Sequence, residues 1–142
     1  MELYNIGILE DFDFNKNTLI PSKDKPDKVF FVAIVSSHCG HCVKAKPDLQ
    51  AFADSVGGFE KNYKNGSIVV CAIPTDNSKE SVKKLSAKLK ECIDNFTGGI
   101  PFFCAYKGGK QVGVFKGERT QQNFKKFCES MWNSVKVYKY VI

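Results

Sequence analysis

The segment K-V-F-F-V-A-I-V-S-S, residues 28–37, is an unbroken apolar run rich in β-branched and aromatic side chains. It has no polar face, so it predicts a strand covered on both sides, as in the middle of a sheet with helices above and below. S-I-V-V-C-A-I-P-T-D, residues 67–76, predicts a second such strand. From Gly40, apolar residues recur at 43, 45, 49, 52, 53 and 56, a helical spacing that Gly57-Gly58 ends. Pro47 falls inside this helix and should kink it. Residues 59–67 read as a polar connection. Over 78–96, Val82, Leu85, Leu89, Cys92, Ile93 and Phe96 share one face of an amphipathic helix, and Ser78 and Glu80 suit its first turn. Within 97–117, two strand runs flank Gly108-Gly109, the pattern of a β-hairpin. Thr120 can cap a last helix, with Phe124, Phe127, Cys128 and Met131 on its inner face. Upstream, short strands are expected near 3–9 and 17–20, and P-S-K-D-K-P-D, 21–27, reads as a polar turn. The order is β-α-β-α-β-β-α behind an N-terminal extension. This is an α/β fold, a central mixed sheet flanked by helices, built as one domain over 1–142.

Composition narrows the picture further. Hydrophobic residues make up 43% and charged residues 25%, as in ordinary globular proteins. No apolar run is long enough to span a bilayer, so no membrane association is expected. The first residues, M-E-L-Y-N-I-G-I-L-E-D-F-D-F, have no basic region followed by an apolar one, so no signal peptide is expected. The last residues, K-V-Y-K-Y-V-I, carry no retention or prenylation signal. The formal charge is +6, almost all of it from lysine scattered along the chain; Arg119 is the only arginine. A nucleic-acid surface would carry arginine for bidentate contacts, so no nucleic-acid partner is expected and the lysines read as solvated surface. The excess of lysine, with many Asn, Ile and Phe, hints at an AT-rich genome.

Six cysteines stand at 39, 42, 71, 92, 104 and 128. Cys71 and Cys104 lie in strand runs, and Cys92 and Cys128 at apolar helical positions. These four read as small buried thiols, which points to a reducing compartment. The other two belong to S-S-H-C-G-H-C-V-K, residues 36–44. A zinc site needs four converging ligands, and His38, Cys39, His41 and Cys42 are too close in sequence to turn to one ion; no metal or other cofactor is expected. A structural bridge across four residues would remove little entropy from the unfolded chain. Two unreactive thiols are a further alternative. A working redox pair fits the location best. A buried strand delivers Cys39 to the first turn of a helix, where free N–H groups and the helix dipole favour a thiolate. Cys42, one turn on, would be shielded and within reach.

C-G-H-C after a buried strand resembles the active site of thioredoxin-fold proteins, and Gly-His is the dipeptide typical of protein disulfide isomerases. Pro47 is similar to the family's helix-kinking proline. G-I-P-F-F, 99–103, resembles its cis-proline loop, and F-K-G-E-R-T, 115–120, resembles the isomerase pattern before the last helix. The likeness covers roughly residues 25–132. It implies a thioredoxin fold and a thiol–disulfide oxidoreductase. Cys39 would be the nucleophile and Cys42 the resolving thiol, the two forming the redox-active disulfide. His41 would stabilise the Cys39 thiolate, and Arg119 would lower the Cys42 pKa during resolution. Pro101 in cis, with Ile100 and His38, would meet an extended substrate. Partners would be protein substrates with cysteine pairs and a recycling thiol system, the chain itself a monomer or weak dimer. Phe59, Tyr63, Trp132, Tyr138 and Tyr140 could build a dimer surface or simply pack. The expected location is the cytosol. Large DNA viruses with AT-rich genomes encode thioredoxin-like proteins of this kind, some packaged in the particle.

The chain also departs from the pattern. His38 stands where the family usually has Trp. Ala33 stands where it has a buried Asp or Glu that shuttles a proton for the second cysteine. The stretch between Cys42 and Pro101 is longer than in short thioredoxins. These departures keep a second class of function open, a thioredoxin-fold binding or structural module without redox turnover.

Overall fold

The computed structural model describes residues 1–56 and 68–141, with side chains through Met131. Gly57, Gly58 and the polar connection 59–67 lie outside the described residues, as do the side chains of Phe59, Tyr63, Trp132, Tyr138 and Tyr140.

The chain begins with a short strand β1, Gly7–Ile8, and a 3-10 turn, Asp11–Asp13. A two-residue hairpin follows, β2 (Phe14–Asn15) and β3 (Thr18–Leu19). Then come α1 (Ile20–Asp24), β4 (Val29–Val35), α2 (Gly40–Ser55) and β5 (Ile68–Pro74). Two short helices follow, α3 (Glu80–Ser86) and α4 (Leu89–Cys92). Strands β6 (Phe102–Lys107) and β7 (Lys110–Val114) precede the last helix, α5 (Gln121–Val141). The main sheet has the order β1-β5-β4-β6-β7. β4 runs parallel to β5 and antiparallel to β6, so it is central and the sheet is mixed.

Alternation along β4 builds two cores from one strand. Val29, Phe31, Ala33 and Val35 face α2 and α5, whose Leu49, Phe52, Phe124 and Cys128 close the layer. Phe30, Val32 and Ile34 face the other way, onto Leu85, Leu89, Cys92, Ile93 and the N-terminal residues Leu9, Phe14 and Leu19. Every residue of β4 is essentially fully buried, as the apolar run predicts. Cys71, Cys92, Cys104 and Cys128 are buried and unpaired.

Four local expectations are corrected. The polar turn at 21–27 contains α1, with Pro21 in its first turn, where the missing amide hydrogen costs nothing. The helix expected over 78–96 is two helices. Lys88 N–H bonds the Leu85 carbonyl at 3.0 Å, a tight 3-10 closure, and the Lys88 ammonium reaches Asp11 at 2.5 Å. The expected apolar face survives the break, because all six residues named for it are buried. Ser78 caps neither helix. Lys79 is the N-cap of α3, and its own N–H goes to Asn77 Oδ1 at 2.9 Å. At α5 the expected cap forms, Asn123 N–H donating to Thr120 Oγ1 at 3.2 Å. Pro47 stands inside α2. Val43, expected on the inner face of α2, is 52% exposed.

The β6–β7 turn needs its glycines. Gly108 and Gly109 have φ of +61° and +87°, the left-handed region favoured in two-residue hairpin turns. Gly109 is also crowded. A Cβ there would lie 3.0 Å from Lys23 Cβ and from Thr18 Cγ2, while Gly108 has open space. Gly109 N–H donates to Ser22 Oγ at 3.1 Å, and its carbonyl accepts from Leu19 N–H at 3.0 Å. Gly109→Ala should therefore destabilise the fold by about 1–3 kcal/mol. Gly108→Asn, tolerated in such turns, should cost far less. Urea unfolding midpoints of the two variants test the difference.

Candidate active site

The redox-type motif lies at the carboxyl end of the central strand. After Val35 the chain leaves the sheet through Ser36, Ser37 and His38 and enters α2 at Cys39, which is its N-cap residue. The Cys39 backbone is extended (φ −105°, ψ 118°), which turns the sulfur toward the first free amides of the helix. Cys42 N–H donates to Cys39 Sγ at 3.3 Å. The Cys39 thiol also approaches the Ile100 carbonyl at 3.6 Å. Ile100–Pro101 is a cis peptide, and Pro101 is buried beside the motif's partner strand β6.

The two sulfurs have opposite environments. Cys39 is half-exposed and Cys42 is 1% exposed. A hydrogen bond from the Cys42 thiol is the chief influence holding the Cys39 thiol below the ordinary range. The N–H groups of Cys42 and His41 and the charge of Arg119 add to it, while partial burial works against it. Burial pushes Cys42 up to about 11, helped by the adjacent Cys39 and opposed by the Ser36 N–H and by Arg119. One thiol is thus poised to lose its proton and the other to keep it.

His41 is exposed and contributes its backbone N–H to Cys39. An open cavity beside the motif is lined by His41, Lys44, Ala45, Gly117, Glu118 and Arg119, so the single arginine is brought to the site from the β7–α5 connection. His38 is not part of this lining. Its ring is 86% exposed, and Nε2 lies 3.8 Å from the carboxylate of Asp76. Ala33 is fully buried and packs in the same cluster as Cys42. Asp76, Ser36 and Ser37 were not among the residues singled out from sequence. Ser37 donates to the Asp76 carboxylate from its hydroxyl and from its N–H, the latter at 3.3 Å. Ser36 Oγ accepts His38 N–H at 3.1 Å. Among the described residues, no group of three or more His, Cys, Asp or Glu side chains gathers in a metal-binding arrangement, and no helix is long and apolar enough to cross a membrane.

The arrangement just described is that of a thioredoxin fold, and solved structures share it. The first thioredoxin domain of mouse protein disulfide-isomerase A4 superposes with a TM-score of 0.61 at 21% identity, over 93% of this chain and 79% of that one. Thioredoxin f from spinach chloroplast, long form, gives 0.59 at 14% identity, over 89% and 85%. The zinc-bound form of human ERp44 gives 0.61 at 12% identity over 88% of this chain, which spans only 29% of the ERp44 chain. No protein-family model and no curated protein sequence matches the chain. At these identities the likeness establishes the fold.

Proposed function

We propose that this protein is a thiol–disulfide oxidoreductase acting on cysteine pairs of protein substrates. The observation that carries the proposal is the asymmetric pair: a half-exposed Cys39 sulfur accepting the Cys42 N–H at 3.3 Å, with Cys42 buried beneath it. Thioredoxin-type and isomerase-type neighbours with the same fold support the reading.

In the reducing direction, Cys39 thiolate attacks a substrate disulfide, forms a mixed disulfide and releases one substrate thiolate. Cys42 then attacks the Cys39 sulfur, releases the second substrate thiolate and closes the Cys39–Cys42 bond. Oxidation of a substrate runs these steps backwards. His41 stabilises the Cys39 thiolate, and the Arg119 charge eases ionisation of Cys42. Ile100 and Pro101 form the wall against which an extended substrate lies, with the carbonyl of Ile100 already at the nucleophile. A recycling thiol system resets the pair. Four buried, unpaired thiols elsewhere support a cytosolic setting.

Gly40-His41 between the cysteines favours disulfide formation or isomerisation over bulk reduction. Equilibration in graded glutathione buffers, with trapped thiols mapped by mass spectrometry, tests this. The expected result is a reversible Cys39–Cys42 disulfide with a potential between the references of about −270 mV for thioredoxin and about −180 mV for the isomerase. A value at or below the lower reference would make the protein a reductase. Absence of a reversible bridge would leave the second reading, a thioredoxin-fold binding module, which Ala33 favours because, among the described residues, no buried acid acts on Cys42.

A further inference from the structure

Strands β4 and β5 are parallel and in register, with Val35 opposite Pro74. Thr75 N–H bonds the Val35 carbonyl at 2.9 Å. The residues just past the two strand ends must therefore meet, and they place Asp76 against Ser37 and His38. The Asp76 side chain keeps 21% of its exposure, while the His38 ring that it faces keeps 86%. The carboxylate is fixed by two donors from Ser37, and the imidazole of His38, the residue just before Cys39, is left exposed.

We infer that His38, positioned by Asp76, is the acid–base group for the substrate's own sulfur during disulfide exchange. The inference rests on the oxidoreductase reading above and adds a residue and a role to it. Cys39 has no need of this imidazole. Its thiolate is already served by the Cys42 thiol, by two backbone N–H groups and by the Arg119 charge. Two protons have no protein group assigned to carry them, that of the buried Cys42 and that of the substrate sulfur, and the exposed His38 is available to the second. Arg119 and His41 line the cavity beside the motif, and His38 is not part of that lining. Among the described residues, the charges found to act at the pair are that of Asp76 itself and, through space on Asp76, that of the Met1 amine. The hydrogen bond from Ser37 first of all, then nearby N–H groups and the Met1 amine, hold the Asp76 carboxyl below the ordinary range, so it stays an anion beside the ring.

In the oxidising direction, the thiol of a substrate attacks Cys39 Sγ of the Cys39–Cys42 disulfide, and the S–H proton passes to the His38 imidazole. The S–S bond to Cys42 breaks, and a bond from substrate sulfur to Cys39 forms. The substrate sulfur is oxidised and the Cys42 sulfur reduced. Cys42 leaves as a thiolate and takes a proton from water, while His38 returns its proton to solvent. In the reducing direction, protonated His38 gives its proton to the departing substrate thiolate.

The test uses the full chain in two reactions. The first is attack of glutathione, as a plain monothiol probe, on the oxidised protein, followed by rapid quench over a range of pH. The second is alkylation of Cys39 by iodoacetamide in the reduced protein, a reaction in which no substrate sulfur gains or loses a proton. His38→Gln and Asp76→Asn should slow the first reaction near neutral pH by about tenfold, below the usual hundredfold or more of general acid–base catalysis because the ring is exposed. Asp76→Glu should restore much of the lost rate. The alkylation profile should not move. A parallel change in alkylation would overturn the inference, because His38 would then act on Cys39. Unchanged exchange in both variants would also overturn it. His38 is exposed, so His38→Gln folds whether or not Asp76→Asn disturbs its turn, and thermal melts check both. If the wild-type protein, oxidised, fails to react with glutathione at all, the oxidoreductase reading itself falls and this inference with it.

Discussion

Cys39→Ser should reduce disulfide exchange to the uncatalysed rate, while Cys42→Ser should leave a protein that reacts once and stays covalently attached to its substrate. The two outcomes differ because the sulfurs sit in different surroundings. Cys39 receives the N–H groups of the first turn of α2 and a hydrogen bond from Cys42, which hold its thiol below the ordinary range and favour its thiolate. A serine hydroxyl at the same place gains the same donors and still does not ionise. Cys42 is pushed up to about 11. At pH 7 only about one part in ten thousand of such a thiol is ionised. It therefore cannot replace Cys39 as the first nucleophile, and its role begins once Cys39 is held in a mixed disulfide. Iodoacetamide in slight excess should label Cys39 first among the six cysteines, because the other five are buried. Mass spectrometry of the trapped Cys42→Ser adduct reads the covalent intermediate directly. Equal labelling of Cys39 and Cys42, or no adduct, would contradict the assignment of the two roles.

What sequence could and could not reveal follows from the range of the interactions. β4 and β5 were legible because both strands are covered on both faces and so contain no polar residue to break the pattern. The cysteine pair was legible because strand, turn and helix start are consecutive in the chain. The hairpin at Gly108-Gly109 was legible from its turn chemistry alone. The split between α3 and α4 was not. Its residues keep an unbroken helical period, and the break depends on a 3-10 closure at Lys88 and a reach to Asp11, far away in sequence. Asp76 was missed for the same kind of reason. Nothing in P-T-D marks it, and its place beside Ser37 and His38 comes from the parallel register of β5 against β4. Arg119 could be noticed as the only arginine, yet its position beside His41 depends on how the β7–α5 connection returns to the start of α2.

Phe31→Ala should cause the largest loss of stability of any single truncation near the site. Phe31 is fully buried in the centre of β4. Its ring centroid lies 5.4 Å from that of Phe52, 5.7 Å from Phe103, 5.2 Å from Phe124 and 6.1 Å from Phe127. Those rings come from α2, β6 and α5, so one side chain ties both helices of this layer to the sheet. Removing it discards the transfer energy of the ring and leaves a cavity among rings that cannot all move in. The expected cost is about 3–5 kcal/mol. Against a typical total of about 5–15 kcal/mol, that is enough to lower the melting temperature by on the order of 10 °C or more. Phe12→Ala, at a ring that is 66% exposed, should change stability by less than about 0.5 kcal/mol. The effect at Phe31 should also reach the chemistry. Cys42, Ala45, Leu49 and Phe52 belong to the same cluster, so a loosened α2 exposes Cys42 to water. Desolvation is the first cause of its raised pKa, so the thiol should ionise more readily in the variant than in the native protein. Urea unfolding measures the stability, and the ratio of Cys42 to Cys39 alkylation in the folded variant measures the second effect. A native ratio in a protein several kcal/mol less stable would mean that the start of α2 is held by its own caps and by the sheet edge, and that the phenylalanine cluster supports the fold without setting the redox pair.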